Sequence, residues 1–253
     1  MRTITAEAAV DVPEAFDDVA SRYDLMVGLN PGYHRHLRSA AEALVARLPL
    51  SVEPVQLLDL GCGSGASTRA LVNAMERARR PFAVTAIDAS VGMLEQARKK
   101  TWPPGVRFEH RLAEDLSAAR ADWGLTDAVG GVFAAYLFRN VTDRDKVLEA
   151  TRELLAPGGS LVVQEYSVAG SRSRYVWNLV CWSVVIPLSW LVNRDTRLYR
   201  YLWRSVLEFD SVDVFVERMY AAGFVDVEVR TTPGWQRGVL HSFRARKAPA
   251  TAP

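Results

Sequence analysis

Residues 55–65 read Val55-Gln56-Leu57-Leu58-Asp59-Leu60-Gly61-Cys62-Gly63-Ser64-Gly65, an apolar run that stops in a turn of alternating glycines. So short a run of Val and Leu, bounded by glycine, reads as a buried strand. Residues 66–80 follow with Leu71, Val72 and Met75 on one helical face, so the unit is strand, glycine turn, helix. Glycine at such a turn lets backbone amides approach a ligand, although a strand-to-helix loop also needs glycine for steric reasons alone. The spacing is G-x-G-x-G with an acid two residues before the first glycine, whereas a dinucleotide loop carries G-x-G-x-x-G.

Outward from this unit the same alternation continues. Strands are expected over 82–87, 106–110, 128–133, 160–166, 225–231 and 239–246, and helices over 91–100, 143–155 and 211–222. Pro157-Gly158-Gly159 reads as a helix stop and Gly223 as a cap. This predicts an α/β, doubly wound, mostly parallel sheet with helices on both faces. Residues 1–50 read as an amino-terminal helical cap broken at Gly28-Leu29-Asn30-Pro31-Gly32, residues 51–247 as the ligand-binding domain, and 248–253 as a disordered tail. Within the domain, 167–209 interrupts the alternation as an aromatic, apolar, helical lid insertion.

With 253 residues, 49% hydrophobic and 24% charged, the chain can bury a substantial core. Lys plus Arg total 31 against 29 for Asp plus Glu, and a net charge of +2 argues against a nucleic-acid partner. Cys62 and Cys181 form no short disulfide framework, and the first residues carry acids and no continuous apolar stretch. Both features fit a cytoplasmic chain without a signal peptide. Residues 176–192, VWNLVCWSVVIPLSWLV, are almost uncharged but broken by Asn178 and Pro187, and fall short of the roughly 20 residues a spanning helix needs. They read as a buried or lid helix pair, with contact to a bilayer or a lipid-like ligand as the alternative; Trp177, Trp182, Ile186, Leu188, Trp190 and Leu191 are expected to wall an acceptor pocket or its entrance. No His, Cys and carboxylate cluster has metal-ligand spacing, so no metal is expected.

The acid and glycines Asp59, Gly61, Cys62, Gly63 and Gly65 resemble motif I of the class I S-adenosylmethionine-dependent methyltransferases. Asp59 is expected to orient the ammonium of the cofactor, directly or through water, while the glycine amides pack on its backbone. Asp88, ending the second strand, sits where an acid accepts two ribose hydroxyls; its plainer role is a helix cap, which Ser90 can fill alone. Met93 packs against adenine or merely against the sheet.

Further blocks, Phe16 to Asp24, Arg139-Asn140-Val141, Pro157-Gly158-Gly159 and Tyr199-Arg200-Tyr201-Leu202, with Leu240-His241, are similar in order and sequence to the ubiquinone/menaquinone biosynthesis C-methyltransferase family over about residues 14 to 247. The resemblance implies a seven-stranded Rossmann-like sheet with an antiparallel last strand, and S-adenosyl-L-methionine as cofactor. It places Tyr23, Ala89, Ala113, Glu114 and Tyr136 at the cofactor as well. Arg139, Glu165 and His241 are the candidates for catalysis. Arg139 would orient a phenolate oxygen, or pair with Asp143 one turn away; His241 would touch the acceptor, or pack structurally. His34 and His36 are further bases on the amino-terminal segment, or ordinary surface histidines. The chain departs from the family pattern at Leu112, where the adenine amino group would be recognised, and at Leu37 and near Leu137, positions expected around the acceptor. The implied reaction is methyl transfer to an apolar, aromatic small molecule, best a carbon of a demethylmenaquinol-type quinol. A tailoring methyltransferase of secondary metabolism, a nucleotide-binding oxidoreductase and a non-catalytic scaffold are the rivals. The oligomeric state is not readable, a homodimer and a peripheral contact with the inner membrane face both being options.

Overall fold

The computed structural model describes residues 12–17, 20, 24, 28, 32–49, 53–116, 128–194 and 196–250. Its sheet is built from β1 (Val55–Leu60), β2 (Phe82–Asp88), β3 (Val106–His110), β4 (Val129–Ala135), β5 (Leu155–Tyr166), β6 (Phe224–Thr231) and β7 (Leu240–Lys247). The seven strands lie in the order β3-β2-β1-β4-β5-β7-β6. β1 to β5 pair in parallel, and β7 runs antiparallel to both of its neighbours. The helices are α1 (Val12–Asp17), α2 (Tyr33–Val45), α3 (Ala66–Arg77), α4 (Val91–Arg98), α5 (Arg144–Leu154), α6 (Ser171–Val180), α7 (Ile186–Asn193), α8 (Arg197–Glu208) and α9 (Val212–Ala221).

β1 is central, and its apolar run is continuous because both faces are covered. Leu57 packs with Leu37, Leu44, Leu71 and Met75 of α2 and α3, while Leu58 and Leu60 pack on the opposite face with Leu148 and Leu154 of α5 and Phe215 and Met219 of α9. The parallel strands therefore all present their carboxyl ends to one edge, with β1 flanked by β2 and β4.

Two boundaries differ from the expectation. β5 begins at Leu155, directly after α5, and runs through Pro157-Gly158-Gly159, which is therefore part of the strand. Proline lacks a donor for the ladder, and it is tolerated here because the pairing with β4 shifts register between Val129 and Gly131. The insertion is helical, as expected, but α6 continues through a π turn at Cys181–Val185 into α7 without a break. Pro187 explains the π turn: it cannot donate to the preceding turn and its ring would clash with the carbonyl four residues back, so the helix widens there. No helix among the described residues is long and apolar enough to cross a membrane. The residues 251–253 of the expected tail, and most of the break before α2, lie outside the described residues.

Candidate active site

A cleft of about 320 Å³ opens at the carboxyl edge of the sheet, where the turns after β1, β2, β3 and β4 meet. Such a crevice, beside a strand whose two neighbours lead in opposite directions, is the general ligand site of doubly wound sheets. Gly61 to Ser64, Ile87 to Ser90, Arg111 to Glu114, Ala135 to Leu137 and Arg139 to Thr142 form its walls, and Pro13 and Phe16 of α1 with Tyr33 of α2 cover it.

The turn after β1 keeps its shape through left-handed glycines. Gly65 has φ +93°, and a Cβ there would stand 2.8 Å from the Trp102 ring, so both conformation and space demand glycine. Gly63, at φ +54°, has nothing within 4 Å of such a Cβ and lines the cleft, so a side chain would occupy the ligand's space and not the protein's.

Two carboxylates sit under this turn, Asp88 half-buried and Asp59 fully buried. Asp88 accepts from the amide of Gly63 at 2.7 Å and from that of Ser90 at 2.9 Å. Ser90 itself caps α4, its hydroxyl accepting from Met93, which leaves Asp88 free of that duty and facing the cleft. Burial still pushes the Asp88 carboxyl above its usual range, against those amide bonds. Its remaining lone pairs fit donors such as paired hydroxyls. Asp59 lies deeper, fully buried and outside the lining; its Oδ2 accepts from Ser67 at 2.8 Å and Thr68 at 2.6 Å, tying the glycine turn to the start of α3. Burial lifts its carboxyl to about 7 in spite of those bonds, with Asp88 adding to the rise, and Oδ1 is buried with no hydrogen-bond partner. An orphaned acceptor behind a glycine cradle fits a cofactor that brings a positive charge, acting at a distance or through water.

The opposite wall is aromatic. Tyr136 stacks on Tyr33 at 5.4 Å and on Tyr166 at 5.2 Å, and Tyr166 contacts Trp177 at 4.9 Å. Tyr136 has φ +60°, a strained conformation for a bulky residue, and is held there by Gln164, whose amide donates to its hydroxyl at 3.1 Å. Burial raises its phenol well above the ordinary 10, so it stays neutral. The Arg139 guanidinium lies 5.6 Å from the Tyr136 ring centre and 5.9 Å from that of Tyr166.

Of the expected site residues, Gly61, Cys62, Gly63, Asp88, Ala89, Met93, Ala113, Glu114, Tyr136 and Arg139 line the cleft. Cys62 is an inert buried thiol, burial holding its pKa well above the ordinary 9.0. Gly65 and Asp59 support the turn from behind, and Tyr23 lies outside the described residues. Glu165 and His241 do not reach the lining. Glu165 is fully buried behind Arg139 and pairs with its guanidinium, while Asp143 caps α5 through the amide of Lys146; the long-range pair replaces the expected contact with Asp143. His241 faces Glu165 across the β5–β7 ladder and packs beside Phe243. Burial keeps its pKa below the ordinary 6.5. His36 is buried in α2, and His34 borders a neighbouring cleft.

Leu37 is fully buried in the core against α3 and outside the cleft lining, whereas Leu112 and Leu137 line the cleft. None of the six insertion residues expected to wall the pocket reaches its lining: Trp177 and Ile186 are buried behind it, Leu188 packs near Phe16 and Tyr199, and Trp182, Trp190 and Leu191 are exposed. The sequence reading missed Asp17, whose carboxylate accepts from the amide of Gly92 at 2.7 Å and docks α1 on the start of α4. It also missed Tyr33 as cover and Asn140 in the wall, where the Tyr201 hydroxyl donates to Asn140 at 3.2 Å. The family block at Arg139-Asn140-Val141 was the signal available for Asn140.

Residues 3–245 match the model of the ubiE/COQ5 methyltransferase family. The chain is 30% identical over 225 residues to a ubiquinone/menaquinone biosynthesis C-methyltransferase of Desulfotalea psychrophila, covering 87% of this chain and 84% of the relative. It is 33% identical over 211 residues to a demethylmenaquinone methyltransferase of Thermus thermophilus, covering 83% and 90%. Among solved structures, phosphoethanolamine N-methyltransferase 2 of Haemonchus contortus, in complex with S-adenosyl-L-methionine, superposes with a TM-score of 0.61 at 16% identity over 95% of this chain and 61% of that one. The plantazolicin methyltransferase does so with 0.62 at 13% identity over 93% and 95%, and the two share the fold. The cleft, its two acids and this match over nearly the whole chain together show that the protein belongs to the ubiE/COQ5 methyltransferase family and is an S-adenosylmethionine-dependent methyltransferase.

Proposed function

We propose that the chain methylates a ring carbon of an apolar quinol of the demethylmenaquinol type. The observation that carries this reading is the Arg139 guanidinium at the cleft wall, its side chain 7% exposed, backed by the fully buried Glu165 and set among the rings of Tyr136 and Tyr166. An aromatic, desolvated wall with one fixed cation suits a flat ring bearing an ionisable oxygen. The names borne by relatives at about this level of identity support the same class.

Bound S-adenosylmethionine supplies an activated methyl group, so the chain's task is alignment and control of charge. Asp88 and the amides of the glycine turn are proposed to hold the cofactor's hydroxyls and backbone, Met93 and Ala113 to pack on its base, and Asp59 to balance its positive charge. Arg139 would favour the ionised form of the acceptor's hydroxyl, whose proton leaves to solvent. The ring carbon so enriched takes the methyl as the sulfur leaves as S-adenosylhomocysteine, and then gives up its own proton to restore the aromatic ring. Glu165 keeps the guanidinium oriented, through the ion pair and through its acceptance from the Arg139 amide at 3.4 Å. Tyr33 and Phe16, covering the cleft, exclude water.

The test is transfer of labelled methyl to a demethylated menaquinol, run beside complementation of a strain lacking its quinone C-methyltransferase. Both are expected to succeed. Failure of both, in protein shown to bind the cofactor, would overturn the quinol and favour a tailoring substrate.

A further inference from the structure

We infer that the outer face of the α6–α7 helix is a docking surface for an anionic phospholipid bilayer. The continuous run from Ser171 to Asn193 has one covered side and one bare side. Trp177, Cys181 and Ile186 are buried beneath it, while Tyr175, Leu179, Trp182, Val184, Trp190 and Leu191 are 48 to 69% exposed. Tyr175, Leu179 and Trp182 recur at four- and three-residue spacing and so share one side of the helix, with Arg172 one turn before them and Arg194 one turn after Trp190. An apolar stripe this long on a globular surface needs an occupant.

Charge identifies the occupant. Residues 167–209 carry six arginines, Arg172, Arg174, Arg194, Arg197, Arg200 and Arg204, against Asp195 and Glu208, a net +4 in a chain whose total is +2. All six arginines are exposed. Arg194 lies over the Trp190 ring and Arg200 over the Trp182 ring, each 6.0 Å from the centre, so cations stand beside the tryptophans at the edge of the stripe. Tryptophan and arginine along an apolar helix face are the composition of helices that lie in the interface of anionic membranes, the long arginine stems reaching to the headgroups. A second copy of the chain fits poorly, because a two-fold contact over this stripe would bring the arginine collar against itself. The covered side of the same helix reaches toward the site: Trp177 meets Tyr166 behind the aromatic wall, and Val185 and Leu188 pack against Leu198 and Tyr199, the same pair on which Phe16 of the cleft's cover rests. Docking would therefore hold the cleft's cover close to the lipid surface.

The inference goes beyond the quinol reading and is tested without an acceptor. Wild-type protein is expected to sediment with vesicles of phosphatidylcholine mixed with phosphatidylglycerol, with a blue shift of tryptophan emission, and to be released by salt. Vesicles of phosphatidylcholine alone should retain much less. Leu179→Asp with Trp190→Asp should weaken vesicle binding at least tenfold, and Arg172→Glu with Arg194→Glu about twentyfold or more, since each interfacial cation contributes about a factor of five. Affinity for S-adenosylhomocysteine should be unchanged in both, which reports an intact fold. Absence of binding to the anionic vesicles, equal binding to both vesicle types, or wild-type binding by the two folded variants would overturn the proposal. A dimer in sedimentation that these substitutions dissolve would overturn it in favour of self-association.

Discussion

Replacing Asp59 by asparagine should stabilise the ligand-free protein and weaken the cofactor, two effects of opposite sign from one nearly isosteric change. Burial, the largest influence, lifts the Asp59 carboxyl from 3.8 to about 7, and the hydroxyls of Thr68 and Ser67 only partly offset it. At pH 8 the group is ionised in folded and unfolded chain alike, and a difference of this size opposes folding by roughly 4 kcal/mol. The folded chain holds this proton more tightly, so the group's contribution is most favourable below the unfolded value near 4 and is lost as the pH rises through about 7. Asparagine does not titrate. Its oxygen can keep the bonds from Ser67 and Thr68, but its amide takes over the unpartnered place of Oδ1, at a cost of about 1–3 kcal/mol.

The expected net gain for Asp59→Asn is therefore about 1–3 kcal/mol at pH 8, vanishing toward pH 5, read as the difference between wild-type and variant urea unfolding at each pH. The same variant loses a negative charge behind the cofactor's ammonium, and calorimetry should find affinity for S-adenosylmethionine lower by about tenfold. A variant less stable than wild type at pH 8, or a stability difference independent of pH, would refute the buried-charge argument. Unchanged affinity would remove Asp59 from cofactor recognition.

Four further substitutions separate the parts of the site. Asp88→Ala should weaken cofactor binding by about 1–3 kcal/mol in calorimetry while the protein stays folded, because Ser90 keeps the cap of α4. Gly63→Ala and Gly65→Ala both force alanine into a left-handed backbone at about 1 kcal/mol, but the first methyl enters the cleft and the second meets Trp102. The first should chiefly lower cofactor affinity in calorimetry, and the second chiefly lower the unfolding midpoint. Glu165→Gln should destabilise by about 3 kcal/mol in urea and depress methyl transfer with cofactor affinity nearly unchanged, since it weakens the buried partner of Arg139 and touches nothing in the cofactor half.

The unit from β1 to α3 was legible because a strand covered on both faces writes its burial as an unbroken apolar run, and because left-handed turns write theirs as glycine. Asp88 was legible for a related reason: it ends a strand beside that turn, where register alone brings it to Gly63. What failed was contact at long separation. Arg139 and Asp143 are four residues apart, a spacing that suggests a pair only on a continuous helix, but the short helical turn at Phe138–Asn140 ends before α5 begins. The true partner, Glu165, stands 26 residues away on the neighbouring strand, and no local spacing records that distance. The proline and glycines of β5 misled in the opposite way, since their chemistry announces a break that a shift in register absorbs.

The insertion shows a third kind of limit. Apolar composition sets how much surface a segment needs covered, while the fold decides which half is covered by the chain itself. Along Ser171–Asn193 burial reaches Trp177, Cys181 and Ile186 and leaves Trp182, edge-on to Trp203, and Trp190 exposed, although all of them read alike as apolar residues of one segment. The widened turn at Cys181–Val185 is what makes this division continuous: without it, Pro187 would kink the helix and turn α7 away from the line of α6. With it, one helix carries two apolar faces, the inner one backing the aromatic wall of the cleft through Trp177 and the outer one exposing Trp182 and Trp190 between Arg172 and Arg194.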